Sequence, residues 1–297
     1  MARTVEKDHV TGTNTTGHEW DGIKELDTPM PRWWLWTFYG CIVFAIGYVF
    51  AYPAIPLIHS NTKGFLGYSS RAEVETDIAK AEAGQAQWLE KIKSASLDDI
   101  VKDPDLLQFA RAGGAAAFKV NCVQCHGSGA AGGHGYPNLN DDDWLWGGSL
   151  EQIHTTLQNG IRFTLNASTR DSQMPNFSAD GILKPEQISD VANYVVSLSA
   201  PEESDAVAVA RGKQIFADNC VACHGDTAQG NRDFGGPNLA DKIWLYGGGV
   251  QAVMAQVSKP HHGVMPAWGG RLDETTIKEL TVYVHSLGGG EQTAATQ

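Results

Sequence analysis

A chain of 297 residues is long enough for two ordinary domains with additions. With 42% hydrophobic and only 19% charged residues, it is built to fold rather than to stay disordered. A net charge of −12 argues against nucleic acid as a partner and for a basic protein surface.

Residues 1–32 form a polar tail. From Trp33 to Tyr52 there follow twenty residues without a formal charge, WWLWTFYGCIVFAIGYVFAY. At about 1.5 Å per residue a helix of this length spans roughly 30 Å, the depth of the hydrocarbon core of a bilayer. Trp33, Trp34 and Trp36 at one end and Tyr48 and Tyr52 at the other suit the two interfaces, and Pro53 and Pro56 mark the exit. The run begins too late and is too long for a cleaved signal peptide, and a core helix is not normally apolar on every face. Residues 33–58 therefore read as a retained transmembrane anchor. Within it Cys41 reads as a small buried hydrophobe. Basic residues flank the span almost evenly, Arg3, Lys7, Lys24 and Arg32 before it and Lys63, Arg71 and Lys80 after it, so charge alone gives little orientation.

Residues 59–105 form a linker, predicted helical over Ser69–Lys93. The sequence then repeats itself. Gly114, Phe118, Asn121, Cys122, Cys125 and His126 return 98 positions later as Gly212, Phe216, Asn219, Cys220, Cys223 and His224. Pro137-Asn138-Leu139 and Trp144-Leu145-Trp146-Gly147-Gly148 return 100 positions later, the latter with Tyr246 for Trp146. Met174-Pro175 is matched by Met265-Pro266. Each copy closes on a helical pattern, Ile188, Val191, Val195 and Leu198 against Ile277, Leu280, Val284 and Leu287. The segment APEESDA, Ala200–Ala206, separates the copies, giving domains 106–200 and 201–297. Alternating strand patterns are almost absent, so the fold class is all-α. The order of elements resembles the class I cytochrome c fold in both copies.

Of the five cysteines, four fall in two Cys-x-x-Cys-His motifs, which leaves none for a disulfide framework. Two thiols at this spacing form thioethers to both vinyl groups of one haem, and the adjacent His faces the iron. A zinc site would need both pairs to converge on one metal, and a redox dithiol has no use for the following His. The motifs therefore predict two covalently bound haem c groups, on Cys122 and Cys125 and on Cys220 and Cys223, with His126 and His224 as proximal ligands. Covalent haem attachment in bacteria takes place outside the cytoplasmic membrane, which puts the N-terminus inside and the haem domains in the periplasm.

Met174 and Met265 alone occupy equivalent Met-Pro positions and are the candidates for the sixth ligands. His134 in the first copy, and His261 or His262 in the second, are the alternatives. Met1 is the initiator, Met30 precedes the span, and Met254 lies in an apparent helix. Thioether ligation favours reduced iron. The simplest pairing is His126 with Met174 and His224 with Met265, but packing about a pseudo-twofold axis would exchange the two methionines. The carbonyls of Pro137 and Pro237 are candidate acceptors for the proximal imidazoles, and Trp144, Trp244 and Arg162 (near the first site) are candidate propionate donors. Tyr194 and Tyr283 read as core packing.

Two six-coordinate haems leave no open iron, so the chain is expected to carry electrons and to hold no catalytic centre of its own. The lead-in Asp27–Trp34 (DTPMPRWW), the aromatic anchor, and the tandem CVQCHG and CVACHG domains together resemble the dihaem P subunit, subunit III, of cbb3-type cytochrome c oxidases over essentially the whole chain. The resemblance implies electron transfer from the cytochrome bc1 complex, through a soluble or membrane-anchored cytochrome c, to a monohaem subunit and a catalytic haem–copper subunit. There oxygen is reduced and protons are pumped, usually in low-oxygen respiration. Rival readings are a stand-alone membrane-anchored dihaem shuttle, a dihaem peroxidase and the cytochrome subunit of a periplasmic dehydrogenase.

Overall fold

The computed structural model describes residues 5–292; Met1, Arg3 and the end of the second repeat after 292 lie outside it. The chain forms two compact bodies, Met1–Ala83 and Gly84–Gln297.

The first body opens with a hairpin that the reading of the tail as merely polar does not anticipate. Strands β1 (Thr15–Trp20) and β2 (Ile23–Leu26) are antiparallel, with Trp20 opposite Ile23 and Glu19 opposite Lys24. The turn is Asp21-Gly22, both with positive φ (51° and 85°), the two-residue geometry whose twist matches that of paired strands. Helix α1 (Arg32–Ala51) follows, with a mean hydropathy of 1.7 over its most apolar window and no buried residue. It is long and apolar enough to cross a membrane. Cys41 is thus exposed on α1 rather than buried, because no element shields this helix. Past the helix the chain doubles back, and the N–H groups of Phe65 and Leu66 donate to the last-turn carbonyls of Phe50 and Ala51 (3.0 and 3.2 Å). That return satisfies acceptors a helix end otherwise leaves open.

The second body starts within α2 (Ser70–Ser94) and continues through α3 (Leu97–Lys102), α4 (Pro104–Asn121) and the one-turn α5 (Val123–His126). Next come α6 (Leu150–Asn159), α7 (Pro185–Ser197), α8 (Ala206–Asn219), the one-turn α9 (Val221–His224), α10 (Val250–Ser258) and α11 (Glu274–His285). The starts are written in the sequence. Asp103 caps α4 and Asp205 caps α8 through the same two-donor arrangement, and Ser149 with Gln152 forms a capping box on α6.

The two repeats pack by exchange. The opening helix of the first repeat, α4, lies on the closing helix of the second, α11, while α8 of the second lies on α7 of the first. The sequence repeats therefore do not coincide with the packed units. One unit joins α4, α5 and α6 to α11, around Phe118, Ile153, Leu157, Ile277, Leu280 and Val284. The other is continuous in sequence, α7 through α10, around Phe177, Val191, Val195, Phe216, Val253 and Val257. Tyr194 and Tyr283 pack at these cores, each with its ring centroid 5.3–5.4 Å from Phe216 or Phe118 respectively.

Both crossings rest on glycine. A Cβ on Gly114 would collide with the Glu279 carbonyl and Tyr283, and one on Gly212 with the Asp190 carbonyl and Tyr194. Around this shared geometry the charges differ. Asp190 receives Arg211 Nε at 2.7 Å and Nη2 at 2.5 Å. At the other crossing Glu279 faces Gly113, and its Oε1 is buried without a hydrogen-bond donor among the described residues. Burial, with Asp273 adding repulsion, pushes the Glu279 carboxyl up to about 7. On the same helix Lys278 turns away and donates to the carbonyls of Ile92, Lys93 and Ala95 (3.4, 2.9 and 2.7 Å), closing the C-terminus of α2.

Replacing Gly114 or Gly212 by Ala should cost about 1–3 kcal/mol through forced separation of the helices, read as a lower midpoint in denaturant unfolding of the haem-loaded chain. Because the folded-state pKa of Glu279 is raised above 4.5, the stability it lends in its protonated form is complete below that pH and is lost as pH rises through about 7. Melting curves between pH 5 and pH 8 should accordingly fall more steeply for the natural chain than for E279Q; parallel slopes would contradict this.

Candidate functional site

Each Cys-x-x-Cys-His motif is the one-turn helix that follows a glycine-crossed helix, so its position is set by the packing just described. Cys122 and Cys220 end α4 and α8, and each motif closes on a glycine with positive φ, Gly127 (76°) and Gly225 (77°). The two imidazoles are held alike: His126 Nδ1 lies 3.1 Å from the Pro137 carbonyl oxygen and His224 Nδ1 lies 3.1 Å from that of Pro237. With Nδ1–H donating there, Nε2 of each ring keeps a free lone pair. Burial lowers both histidine pKa values, against a smaller opposing effect of the proline carbonyls, so both rings are neutral near pH 7. A neutral, carbonyl-anchored imidazole is the ligand form for a metal.

The thiols are equally matched. Burial, reinforced by the partner cysteine, pushes Cys122 and Cys220 up to about 11. Such thiols are poor nucleophiles in exchange, unlike those of a redox dithiol, whose pKa is lowered.

Around His224 lies a cavity lined by Cys220, Cys223, Phe216, Val253, Trp244 and Met174. The methionine comes from the first repeat. Around the first motif, Cys122 packs in a cluster with Phe118, Leu157, Trp144, Trp268 and Met265, and here the methionine comes from the second repeat. Met174 thus lies beside the second motif and Met265 beside the first. Of the alternative ligands, His134 meets the Tyr246 ring edge-on and His261 stacks on it (5.9 and 5.4 Å between centroids), His261 and His262 line the cavity around His224, and His262 Nε2 accepts from the Met174 N–H at 3.0 Å.

The candidate propionate donors fall differently from expectation. Trp144 Nε1 already donates to the Gly289 carbonyl at 2.6 Å. Trp244 lines the cavity around His224. Arg162, expected near the first motif, lies in the wall of that same second cavity, because the loop after α6 crosses to the other unit. A further pair carries donors left unused by the protein. Trp146 Nε1 and Arg170 Nε are buried donors without a protein acceptor among the described residues. The Arg170 guanidinium sits 5.2 Å from the Trp146 ring and is anchored by Nη1 on the Trp146 carbonyl at 2.9 Å. Buried donors are normally satisfied, so this pair suits an anionic group of a bound molecule. The only sequence signal is an arginine in an otherwise polar loop. Neutral imidazoles, inert thiols, apolar walls and these two donors all fit haem.

Three family models match the chain: the N-terminal domain of cytochrome oxidase-cbb3, FixP, over residues 12–59; cytochrome c over 112–199; and cytochrome c oxidase, cbb3-type, subunit III over 207–284. The FixP subunit of the cbb3-type cytochrome c oxidase of Rhizobium meliloti (strain 1021) is 58% identical over 285 residues, 96% of this chain and 97% of that protein. That of Bradyrhizobium sp. (strain ORS 278) is 57% identical over 291 residues, 98% and 100% of the two chains. The CcoP subunit of Cereibacter sphaeroides is 55% identical over 277 residues, 93% and 95%.

Proposed function

The chain belongs to the family of cbb3-type cytochrome c oxidase subunits FixP and CcoP, and from that premise we propose that it is the membrane-anchored dihaem electron-entry arm of such an oxidase. The observation that carries this reading is the pairing in each packed unit of a carbonyl-anchored histidine with a methionine from the opposite repeat. Haem c, when bound, supplies an iron that alternates between the ferrous and ferric states. Cys122 and Cys125 would hold one haem and Cys220 and Cys223 the other. His126 with Met265 would hold one iron and His224 with Met174 the other, closing both to oxygen and peroxide. Arg170 and Trp146 would offer donors to a haem carboxylate.

Two closed relays pass electrons without binding a substrate, so the oxygen chemistry belongs to other subunits. Helix α1 anchors the chain in the inner membrane, with the hairpin on the cytoplasmic side and the haem units in the periplasm. There the acidic chain takes electrons from a basic cytochrome c supplied by the cytochrome bc1 complex. It relays them to the monohaem and haem–copper subunits. The membrane lipid, rather than protein, then surrounds Cys41.

The test is a redox titration of the purified chain and its M174H and M265H variants, with haem counted by the reduced pyridine complex. Two haems per chain are expected, and each variant should lower one midpoint potential by on the order of tenths of a volt, within the roughly 0.8 V range that axial ligands control. In a C122S/C125S background, M174H should still shift the remaining potential and M265H should not. The reverse pattern would restore the same-repeat pairing, and a single haem per chain would overturn the relay.

A further inference from the structure

The two methionine loops are tied to one another as well as to the helices. Ile161, just past α6, exchanges backbone hydrogen bonds with Met265 in both directions (2.9 and 3.0 Å). The next residue, Arg162, has a positive φ of 51° and is held in turn by its N–H on the Arg170 carbonyl at 2.8 Å. That backbone turn aims its side chain between the two loops. Nε donates to the Gly263 carbonyl at 2.7 Å and Nη1 to the Ser172 carbonyl at 3.0 Å. Each of these carbonyls lies two residues before a methionine, Gly263 before Met265 and Ser172 before Met174. The segment between α10 and Met265, residues 259–264 (KPHHGV), contains no arginine, so one guanidinium serves both repeats.

On the reading that Met174 and Met265 are axial ligands, we propose that Arg162 is the positioning residue that holds both methionine loops at once and thereby couples the two haem sites. A planar guanidinium presents its donors in fixed directions, which lets one side chain set the spacing of two carbonyls. An ammonium on a flexible stem carries the same charge without that rigidity. Removing the fork leaves two part-buried carbonyls without their donor and frees the approach of both sulfurs. A residue serving one site only would disturb one haem. His262 provides the contrast, since among the two loop backbones its ring nitrogen is bonded only to the Met174 N–H.

The experiment titrates R162Q, R162K, M174H and M265H as full-length, haem-loaded chains. It records both midpoint potentials and the long-wavelength sulfur-to-iron charge-transfer band of the oxidised form, with haem content and far-ultraviolet circular dichroism as checks of folding. Both R162Q and R162K should retain two haems and move both potentials in one titration, with the charge-transfer band weakened at both sites. Should R162Q fail to accumulate, R162K alone gives the answer, because it keeps the charge and loses only the fork. A shift at one haem or none, while M174H and M265H each move one potential, overturns the clamp. Unchanged potentials in M174H and M265H would instead overturn the ligand assignment beneath it.

Discussion

Everything in the haem-binding body depends on two close helix crossings, α4 on α11 and α8 on α7, each made possible by a glycine that lets backbones meet. A connection of only eight residues, 198–205, joins α7 to α8, and helices joined so briefly pack as neighbours. Once α7 is taken by α8, α4 is left with the equivalent surface on α11. Each methionine precedes a closing helix by a short loop, so exchanging the helices exchanges the methionines. Which methionine each core receives thus follows from the length of a linker.

The duplicated crossings have since diverged in their electrostatics. In one, Arg211 meets Asp190 in a two-pronged ion pair at a half-exposed edge. In the other, a glycine replaces the arginine and a longer carboxylate fills the space, buried and unpaired. On Glu279's own helix, Lys278 closes α2 and Glu274 pairs with His154 on α6 at 2.9 Å. Similar backbones therefore place the two sites in unlike fields, one of the levers by which a protein separates the potentials of identical cofactors.

Much of this was legible in the sequence. The spacing of Ile188, Val191 and Val195, and of Ile277, Leu280 and Val284, marked the helices that form the two cores, and the Cys-x-x-Cys-His motifs and Met-Pro loops marked the residues that the fold gathers. Partner choice was not legible, because both closing helices offer the same apolar stripe to both opening helices and only chain connectivity breaks the tie. The Asp21-Gly22 hairpin was visible as a turn signal but was flanked by too few apolar residues to stand out. Aligning the repeats does reveal Glu279 against Asp190 and Gly113 against Arg211, a carboxylate kept while its cation is lost. Arg170 acquires its meaning only from the burial of its Nε, which no local pattern encodes.

The exchange also fixes an order of enclosure. The unit built from α7 through α10 is contiguous and can close as soon as that stretch exists, whereas α4 waits for a helix that begins about 150 residues later, at Glu274. Contacts so distant in sequence form late, after a large entropic cost of closing the intervening chain. The first Cys-x-x-Cys-His motif to be made is consequently the last to be shut away. The interval leaves Cys122 and Cys125 open while the helices around the second motif are already closing. A break just ahead of Met265 would remove Met265 and α11 from the first core together, and leave α7 through α10 whole.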